Sequence, residues 1–323
     1  MLPERQAPRL ILAPLQGFTD AIFRTTFVEH FKGFDSALAP FITTMPVERI
    51  HDRHFRDLLP ERNLRLRIEP QILGNCAEDF ISVSRRLCDM GYPDVNWNLG
   101  CPFRPVTKKR RGAGLLPFPE QVGEFLEKVL PAIPGRLSVK LRLGLNSPLE
   151  ILKLLPVLNS FPLREVIIHP RTARQMYTGH ADLDSFHLCL GACRHPLVYN
   201  GDIGDVHRFE EISARFAKVA GWMIGRGALS NPFLPEAITS GADSAGAKIQ
   251  RFKAFYEDLF GRYHEALSGP GHLLDRMKGF WTYFSVHFKN GALICKRIHR
   301  TFHLPRYIDT VSRFFEEGAE WVE

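Results

Sequence analysis

Short apolar runs alternate with segments of helical spacing over the first two thirds of the chain. The apolar runs predict eight strands, at Leu10–Ala13, Ser36–Pro40, Ile68–Leu73, Val95–Leu99, Ser138–Leu143, Glu165–His169, Leu197–Asn200 and Trp222–Ile224. Several of these runs are almost continuously apolar, which is typical of strands covered on both faces. Because the strands alternate with helices, the pattern predicts a parallel sheet.

The helices between these strands are predicted by apolar positions that recur at helical spacing. They are expected at Asp20–His30, Pro46–Leu58, Ala77–Met90, Pro119–Leu130, Leu149–Asn159, Leu183–Ala192 and Asp205–Phe216. Eight strands with intervening helices predict an α/β fold, a (β/α)8 TIM barrel over residues 1–238. A doubly wound open sheet is the alternative, because periodicity does not show whether the sheet closes.

The strand patterns stop after a small, polar segment, residues 239–247, which is typical of a linker. Beyond it the spacing predicts helices only, at Ile249–Leu267, Leu273–Phe288, Leu293–Phe302 and Tyr307–Gly318. We therefore expect a small C-terminal helical-bundle domain over residues 248–323.

Composition and charge narrow the range of partners. The 323 residues are 45% hydrophobic, and 42 Lys and Arg against 35 Asp and Glu give a formal net charge of +7, which favours an anionic partner such as nucleic acid. The six cysteines form no Cys-x-x-Cys pair, so we expect no disulfide, no metal and a cytoplasmic location. No signal-peptide core and no run of about 20 apolar residues is present, so no membrane association is expected.

Polar residues cluster where the predicted strands end, which is where (β/α)8 barrels carry functional groups. They are Gln71, Asn98, Cys101, Lys140, His169, Arg171, Asn200-Gly201-Asp202 and Gly225-Arg226-Gly227. The last two groups follow predicted strands seven and eight, whose loops bind phosphate in barrels of this kind. Their glycines let backbone N–H groups approach an anion, and Arg226 adds charge.

Three of these residues have more than one interpretation. Lys140 either points to solvent or reaches into the barrel mouth, where burial would require an anionic or electron-rich ligand. His169 is either a structural histidine or a ligand contact. Cys101 lies between Gly100 and Pro102 at the end of a predicted strand, where a thiol can act as a nucleophile or as a general acid.

Two basic segments suggest a nucleic-acid surface. Five Lys and Arg residues lie between Arg104 and Arg111, and the stretch from Arg276 to Arg306 has seven Lys and Arg but no Asp or Glu. Six aromatic residues are interspersed in the second segment, namely Phe280, Trp281, Tyr283, Phe284, Phe288 and Phe302. Cations with aromatics suit RNA phosphates and unstacked bases, although most of these aromatics are expected in the core of the helical domain.

Eight segments between Leu12 and Gly227 resemble, in order and spacing, those of tRNA-dihydrouridine synthases. They are Leu12–Asp20, Pro70–Gly74, Asn98–Pro102, Gly112–Leu116, Val139–Gly144, His169–Thr172, Asn200–Ile203 and Ile224–Gly227. The resemblance implies an FMN-bearing barrel, NADPH as reductant and a helical domain that helps to bind tRNA. It further implies that the flavin N5 passes hydride to uracil C6 and that Cys101 protonates C5.

The resemblance also implies roles for individual residues. Cofactor contacts are expected from Ala13, Pro14, Gln71, Lys140, His169, Asn200, Gly201, Asp202, Gly225 and Arg226. Together with the basic segments, the resemblance implies substrate contacts from Asn98, Arg104, Lys108, Arg171, Lys296, Arg297 and Arg300. Residues Arg104 to Gly114 are expected to form a mobile loop that carries Cys101 over the base. This segment departs from the family pattern, because bulky and basic residues stand where many members have small ones.

Two other functions remain open from the residues. A small-molecule FMN dehydrogenase of the dihydropyrimidine or dihydroorotate type would share the barrel, the flavin and a cysteine, but it would not need the acid-free stretch Arg276–Arg306. A non-catalytic RNA-binding barrel would not need Cys101, Lys140 and His169 together. We expect the protein to be a monomer.

Overall fold

The computed structural model describes residues 7–241 and 247–322, and within them all strand pairing inside the sheet is parallel. The strands are β1 (Leu10–Leu12), β2 (Ser36–Leu38), β3 (Ile42–Thr43), β4 (Arg67–Glu69), β5 (Gln71–Leu73), β6 (Asp94–Leu99), β7 (Arg136–Gly144), β8 (Val166–Thr172), β9 (Leu197–Tyr199) and β10 (Gly221–Ile224). They confirm the eight predicted strands, one of which is interrupted at Pro70, and add β3 just beyond the predicted strand Ser36–Pro40.

The sheet closes into a barrel. Strand β1 pairs with both β10 and β2, and β2 pairs with β4. Only Pro70 separates β4 from β5, because a proline has no N–H to donate to a ladder; its carbonyl still accepts from the Asn96 N–H. Strand β5 pairs with β6, and β6 to β10 follow in order. The two halves of the bent strand thus complete an eight-stranded ring, and the open-sheet alternative is wrong.

Nine α-helices of the described chain precede residue 241. They are α1 (Ala21–His30), α2 (Ala77–Asp89), α3 (Arg104–Thr107), α4 (Pro119–Val129), α5 (Glu150–Leu158), α6 (Leu183–Ala192), α7 (Val206–Arg215), α8 (Arg226–Ser230) and α9 (Leu234–Ser240). Six of the seven predicted helices are confirmed. The prediction at Pro46–Leu58 is wrong, because this segment forms two short 3-10 helices whose Asp57 accepts from the Ala21 N–H and from Arg24. These tertiary contacts override the helical spacing.

The C-terminal region is helical, as predicted. It contains α10 (Lys248–Ala266), α11 (Pro270–Phe284), α12 (Gly291–His299) and α13 (Leu304–Glu316). In the predicted linker, Thr239 and Ser240 end α9 and Gly241 caps it with a φ of +62°, whereas residues 242–246 lie outside the described part of the chain. Phe255 of α10 packs against Phe23 and Phe27 of α1, so the apolar core continues from the barrel into the helical region.

The interior of the barrel is divided into an apolar side and a polar side. A small separate cluster of buried apolar residues fills one side, formed by Ile11, Ala13, Leu38, Ile167, Val198 and Met223. The other side carries buried polar side chains of β5, β6 and β7, including Gln71, Asn96 and Ser138. Their strands lie beside one another, so these polar groups can satisfy one another. None of the described helices has the length and apolar character needed to cross a membrane.

Candidate active site

A cavity of about 300 Å³ opens at the carboxyl ends of the barrel strands. Most of the predicted site residues line it, namely Ala13, Pro14, Gln71, Asn98, Cys101, Lys140, His169, Asn200, Gly201, Gly225 and Arg226. Parallel strands end at one face of a barrel, which is why residues from all parts of the chain meet here. Its volume is at the lower end of the roughly 300–1,000 Å³ usual for small-molecule sites.

The turn that carries Cys101 is held from two sides. The Asn98 Oδ1 atom accepts from the Gly100 N–H at 3.0 Å and from the Cys101 N–H at 2.9 Å. On the other side the Ala113 N–H donates to the Cys101 carbonyl at 3.1 Å. Gly112 has a φ of +55°, and a Cβ there would lie 2.8 Å from the Cys101 carbonyl oxygen, so glycine is required.

The Cys101 thiol is protonated at neutral pH. Burial raises its pKa, although the Phe103 N–H and the charges of Arg142 and Lys140 act in the opposite direction. A thiol whose pKa is raised is a poor nucleophile, since the thiolate is the reactive form. The surroundings of Cys101 therefore favour a general acid over a nucleophile.

Two cations of β7 point into the same space. Lys140 and Arg142 are two residues apart, so their side chains share one face of the strand. Burial, followed by the charge of Arg142, lowers the pKa of Lys140 to about 7, and none of the groups that shift it is a carboxylate. Arg142 donates to the Gly100 carbonyl at 3.1 Å and to the Thr172 carbonyl at 2.9 Å. Arg142 was not predicted from the sequence, although its position two residues after Lys140 was the available signal.

His169 is a neutral hydrogen-bonding group. Burial, together with the charges of nearby arginines and Lys140, lowers the pKa of His169 well below its usual value. Its Nε2 atom lies 3.2 Å from an Arg171 nitrogen. Because a guanidinium only donates, Nε2 accepts, and the neutral ring carries its proton on Nδ1.

The two glycine turns lie close to the barrel backbone. A Cβ on Gly201 would lie 2.0 Å from the Tyr199 hydroxyl oxygen, and a Cβ on Gly225 would lie 3.2 Å from the Ala13 Cβ. The Tyr199 ring is fully buried and has no room to move aside. A side chain is thus excluded at Gly201 and crowded at Gly225, and both glycines line the cavity.

Comparison with known proteins identifies the family. The sequence model of the dihydrouridine synthase family matches residues 11–317. The chain belongs to the dihydrouridine synthase family. It is therefore an oxidoreductase that acts on tRNA, and membership implies flavin-dependent reduction of uridine.

Relatives of this dihydrouridine synthase are similar over most of their length. A probable tRNA-dihydrouridine synthase of Rhodobacter capsulatus is 29% identical, with 81% of each chain covered. A tRNA-dihydrouridine(16) synthase of Pseudomonas putida is 26% identical, covering 90% of this chain and 93% of the relative. A tRNA-dihydrouridine synthase B of Klebsiella pneumoniae is 25% identical, covering 96% of this chain and 97% of the relative.

Solved structures show the same fold at much lower identity. A 2-naphthoyl-CoA reductase complex superposes with a TM-score of 0.54 at 12% identity, covering 72% of this chain and 50% of that one. Morphinone reductase superposes with a TM-score of 0.50 at 13% identity, covering 73% of this chain and 86% of that one. At these identities the likeness is one of fold alone.

In this dihydrouridine synthase, two predicted contact residues are paired with each other. Arg171, predicted to bind substrate, is buried and donates to both Asp202 oxygens at 2.8 and 2.7 Å. Burial acts to raise the pKa of Asp202, but hydrogen bonds from Arg171 and the Ala181 N–H, with nearby arginine charges, lower it overall. Asp202 also accepts from Arg226 at 3.2 Å. The ionised Asp202 therefore orients two arginines, whereas its direct contact with a phosphate would be repulsive.

The segment after Cys101, predicted as a mobile loop, contains two short helical turns. Arg104–Thr107 forms α3 and Gly112–Leu115 forms a 3-10 helix, whereas the mobility of the segment stays a prediction. Arg110 lies over the Phe118 ring at 4.5 Å, whereas Arg104 and Lys108 are exposed. The segment thus presents cations to solvent close to the Cys101 turn.

The basic residues of the helical region lie outside the cavity. Lys296, Arg297 and Arg300, on α12 and at its end, are exposed and do not line it. Four of the interspersed aromatics are buried core residues, namely Phe280, Trp281, Phe284 and Phe288. Tyr283 lines the cavity, which sequence analysis did not predict. Phe302 is 78% exposed, with the Lys278 Nζ atom 5.1 Å from its ring centre.

Proposed function

We propose that this chain reduces a uridine of tRNA to 5,6-dihydrouridine, with FMN as its flavin and NADPH as the reductant. The observation that carries the proposal is the protonated Cys101 thiol in a cavity that also holds Lys140 and Arg142. No carboxylate is among the groups that shift the pKa values of these two cations. Such a site supplies a proton and holds an anionic cofactor, while the cofactor provides the redox chemistry.

The residues present fit an FMN. Gly201 and Gly225 line the cavity where a phosphate would lie, and Arg226 adds a positive charge beside them. His169 offers a donor at Nδ1, and Lys140 offers a cation for the negative charge of a reduced flavin. When bound, the flavin supplies the hydride that is added at C6 of the uracil.

Cys101 completes the reduction. Its thiol donates a proton to C5 of the uracil, so that one hydride and one proton add across the C5–C6 double bond. The positive charges of Lys140 and Arg142 stabilise the thiolate that remains. Asn98 holds the Cys101 backbone in place, and the uracil must leave the tRNA stack to reach the thiol.

The exposed cations would bind the rest of the tRNA. We assign phosphate contacts to Arg104 and Lys108 beside the mouth and to Lys296, Arg297 and Arg300 in the helical region. In this proposal residues 1–238 form the catalytic domain and residues 248–323 form a tRNA-binding domain. The protein would act as a cytoplasmic monomer.

The decisive experiment compares Cys101→Ala with the wild-type enzyme. We expect the variant to keep its flavin absorbance and its NADPH oxidation, and to lose tRNA reduction by roughly 10²–10⁴-fold, as is usual for removal of a general acid. Cys76→Ala is the matched control, because Cys76 does not line the cavity. Full dihydrouridine formation by Cys101→Ala would remove Cys101 from the mechanism.

Two further measurements separate the alternatives. A small-molecule dehydrogenase would reoxidise its reduced flavin with free uracil or orotate as fast as with tRNA, whereas we expect tRNA alone to be effective. Purified protein that is colourless and does not bind added FMN would contradict both flavin-dependent functions.

A further inference from the structure

A chain of hydrogen bonds crosses the polar side of the barrel interior and begins at Glu69 of β4. Glu69 accepts from the Ser138 hydroxyl at one oxygen and from Arg164 at the other. The Ser138 Oγ atom in turn accepts from the Asn96 side-chain amide. Ser138 and Asn96 are fully buried, so these groups depend on one another for partners.

The chain continues through two residues of the active-site cavity. The Gln71 Nε2 atom donates to the Asn96 Oδ1 atom at 2.7 Å, and the Asn98 Nδ2 atom donates to the Gln71 Oε1 atom at 2.7 Å. The Asn98 Oδ1 atom then accepts from the backbone N–H groups of Gly100 and Cys101. Four side chains thus connect the Glu69 carboxylate to the turn that carries the thiol.

The groups at the two ends of this series of hydrogen bonds determine which partner donates in each bond. The backbone N–H groups of Gly100 and Cys101 can only donate, so they require the oxygen of Asn98. At the other end burial raises the pKa of Glu69, and the paired Arg164 guanidinium opposes this rise. Held as a carboxylate by Arg164, Glu69 can only accept, so Ser138 must donate its single proton to Glu69 and accept from Asn96. Each side-chain amide between Ser138 and the Cys101 turn can be oriented so that it satisfies both of its neighbours. The orientation required by the backbone N–H groups is the same as the one required by Glu69.

We propose that Glu69 is a positioning residue, which acts through Ser138, Asn96 and Gln71 to fix the Asn98 amide that holds the Cys101 turn. The consequence for catalysis rests on the proposed role of Cys101 as proton donor, whereas the consequence for the turn does not. The sequence patterns indicated no role for Glu69, Asn96 or Ser138.

Replacement of Glu69 by glutamine is expected to exchange donor and acceptor in every hydrogen bond between the side chains of this series. Arg164 only donates, so it would take the carbonyl oxygen of the new side-chain amide and leave the NH2 group of that amide facing Ser138. Ser138 would then donate to Asn96, and the Asn96, Gln71 and Asn98 amides would turn in succession. The Asn98 NH2 would finally face the N–H groups of Gly100 and Cys101, which would lose their acceptor.

The test is backbone hydrogen exchange at Gly100 and Cys101 in the purified, full-length protein at neutral pH. We expect Glu69→Gln to speed exchange of these two amides roughly tenfold, the effect of losing one hydrogen bond each. Glu165→Gln is the matched control, because Glu165 pairs with Arg164 and Arg9 in the same cluster but makes no hydrogen bond to Ser138. Equal exchange in the two variants would overturn the proposal.

Ser138→Ala interrupts the chain and leaves the Glu69–Arg164 pair in place, so it also covers the case in which Glu69→Gln does not fold. We expect it to speed exchange at the same two amides, and we expect Glu69→Gln to add nothing in the Ser138→Ala background. Unchanged exchange in Ser138→Ala, or an undiminished Glu69→Gln effect in that background, would contradict transmission through Ser138.

Activity provides a separate readout. We expect Glu69→Gln to slow reoxidation of reduced flavin by tRNA several-fold while the rate of flavin reduction by NADPH stays unchanged. A loss confined to flavin reduction would contradict the proposal. Failure of the proposed function would be seen in Cys101→Ala retaining activity, and the hydrogen-exchange result would not depend on it.

Discussion

The protein has two positively charged regions that differ in how their charges are held. In the barrel, Lys140 and Arg142 line the cavity and Arg171 is buried beside His169, and both arginines are fixed by carbonyl or carboxylate partners. On the helical region, Lys296 and Arg300 extend into solvent. Enclosed charges act strongly on one small ligand, whereas exposed charges are screened beyond about 8–10 Å at physiological salt and act together on a polyanion.

The acid-free stretch of the helical region is less isolated than its sequence indicates. Arg276 pairs with Asp20 of the barrel at 3.2 Å, and Lys289 pairs with Glu320 at 2.7 Å. Both acids lie outside the stretch from Arg276 to Arg306. Part of its positive charge therefore serves tertiary packing, and the exposed cations of α12 carry the argument for RNA binding.

Among the changes that distinguish the enclosed cations from the exposed ones, Arg171→Leu is expected to cause the largest loss of stability. This change leaves Asp202 without its two-bonded partner, which costs about 2 kcal/mol of unfolding free energy because Arg171 is buried and Asp202 is 24% exposed. Arg226→Leu is the control, because the Arg226 side chain is 38% exposed and its pair with Asp202 is worth at most about 1 kcal/mol. Urea denaturation at equal flavin content measures both, and equal losses would contradict the distinction.

A smaller effect is expected from charge reversal on the helical region. Lys296→Glu with Arg300→Glu should weaken tRNA binding about tenfold and make its salt dependence shallower, because two phosphate contacts are lost. The flavin content should not change. The matched control reverses Lys128 and Lys218, which are exposed, lie outside the helical region, do not line the cavity and alter the net charge equally. Equal binding by the two double variants would show that α12 is not part of the tRNA surface.

The smallest effect is expected from Lys140→Met, in the way that the stability of the protein depends on pH. The folded protein releases the Lys140 proton near pH 7, whereas the unfolded chain keeps it up to its ordinary pKa of 10.5. Stability of the wild type should therefore rise between these pH values, since the unfolded state binds more protons there.

Lys140→Met removes this dependence. In flavin-free protein the variant should melt a few degrees above the wild type at pH 6–7, and the difference should shrink toward pH 10. Thermal denaturation followed by circular dichroism measures it. A difference that is constant with pH would show that Lys140 is not held in an unfavourable charged state.

Much of the site was predictable because strand ends can be located locally. An apolar run that ends in a polar residue marks the mouth of a barrel, and this placed Gln71, Asn98, Lys140 and His169 correctly around one cavity. The segment after Cys101 was not predictable in the same way. Its helical turns depend on contacts such as the Ala113 N–H with the Cys101 carbonyl, which require the folded backbone.

The sequence by itself determined the eight strands, the helical C-terminal region and the set of side chains at the barrel mouth. These follow from periodicity and from the period-two alternation of strands, which are properties of neighbouring residues. Only the tertiary structure decided that the Cys101 thiol stays protonated, that Arg171 belongs to Asp202, and that Glu69 connects to Asn98. Burial and hydrogen-bond partners depend on the register between strands that are distant in the chain, and periodicity carries no information about them.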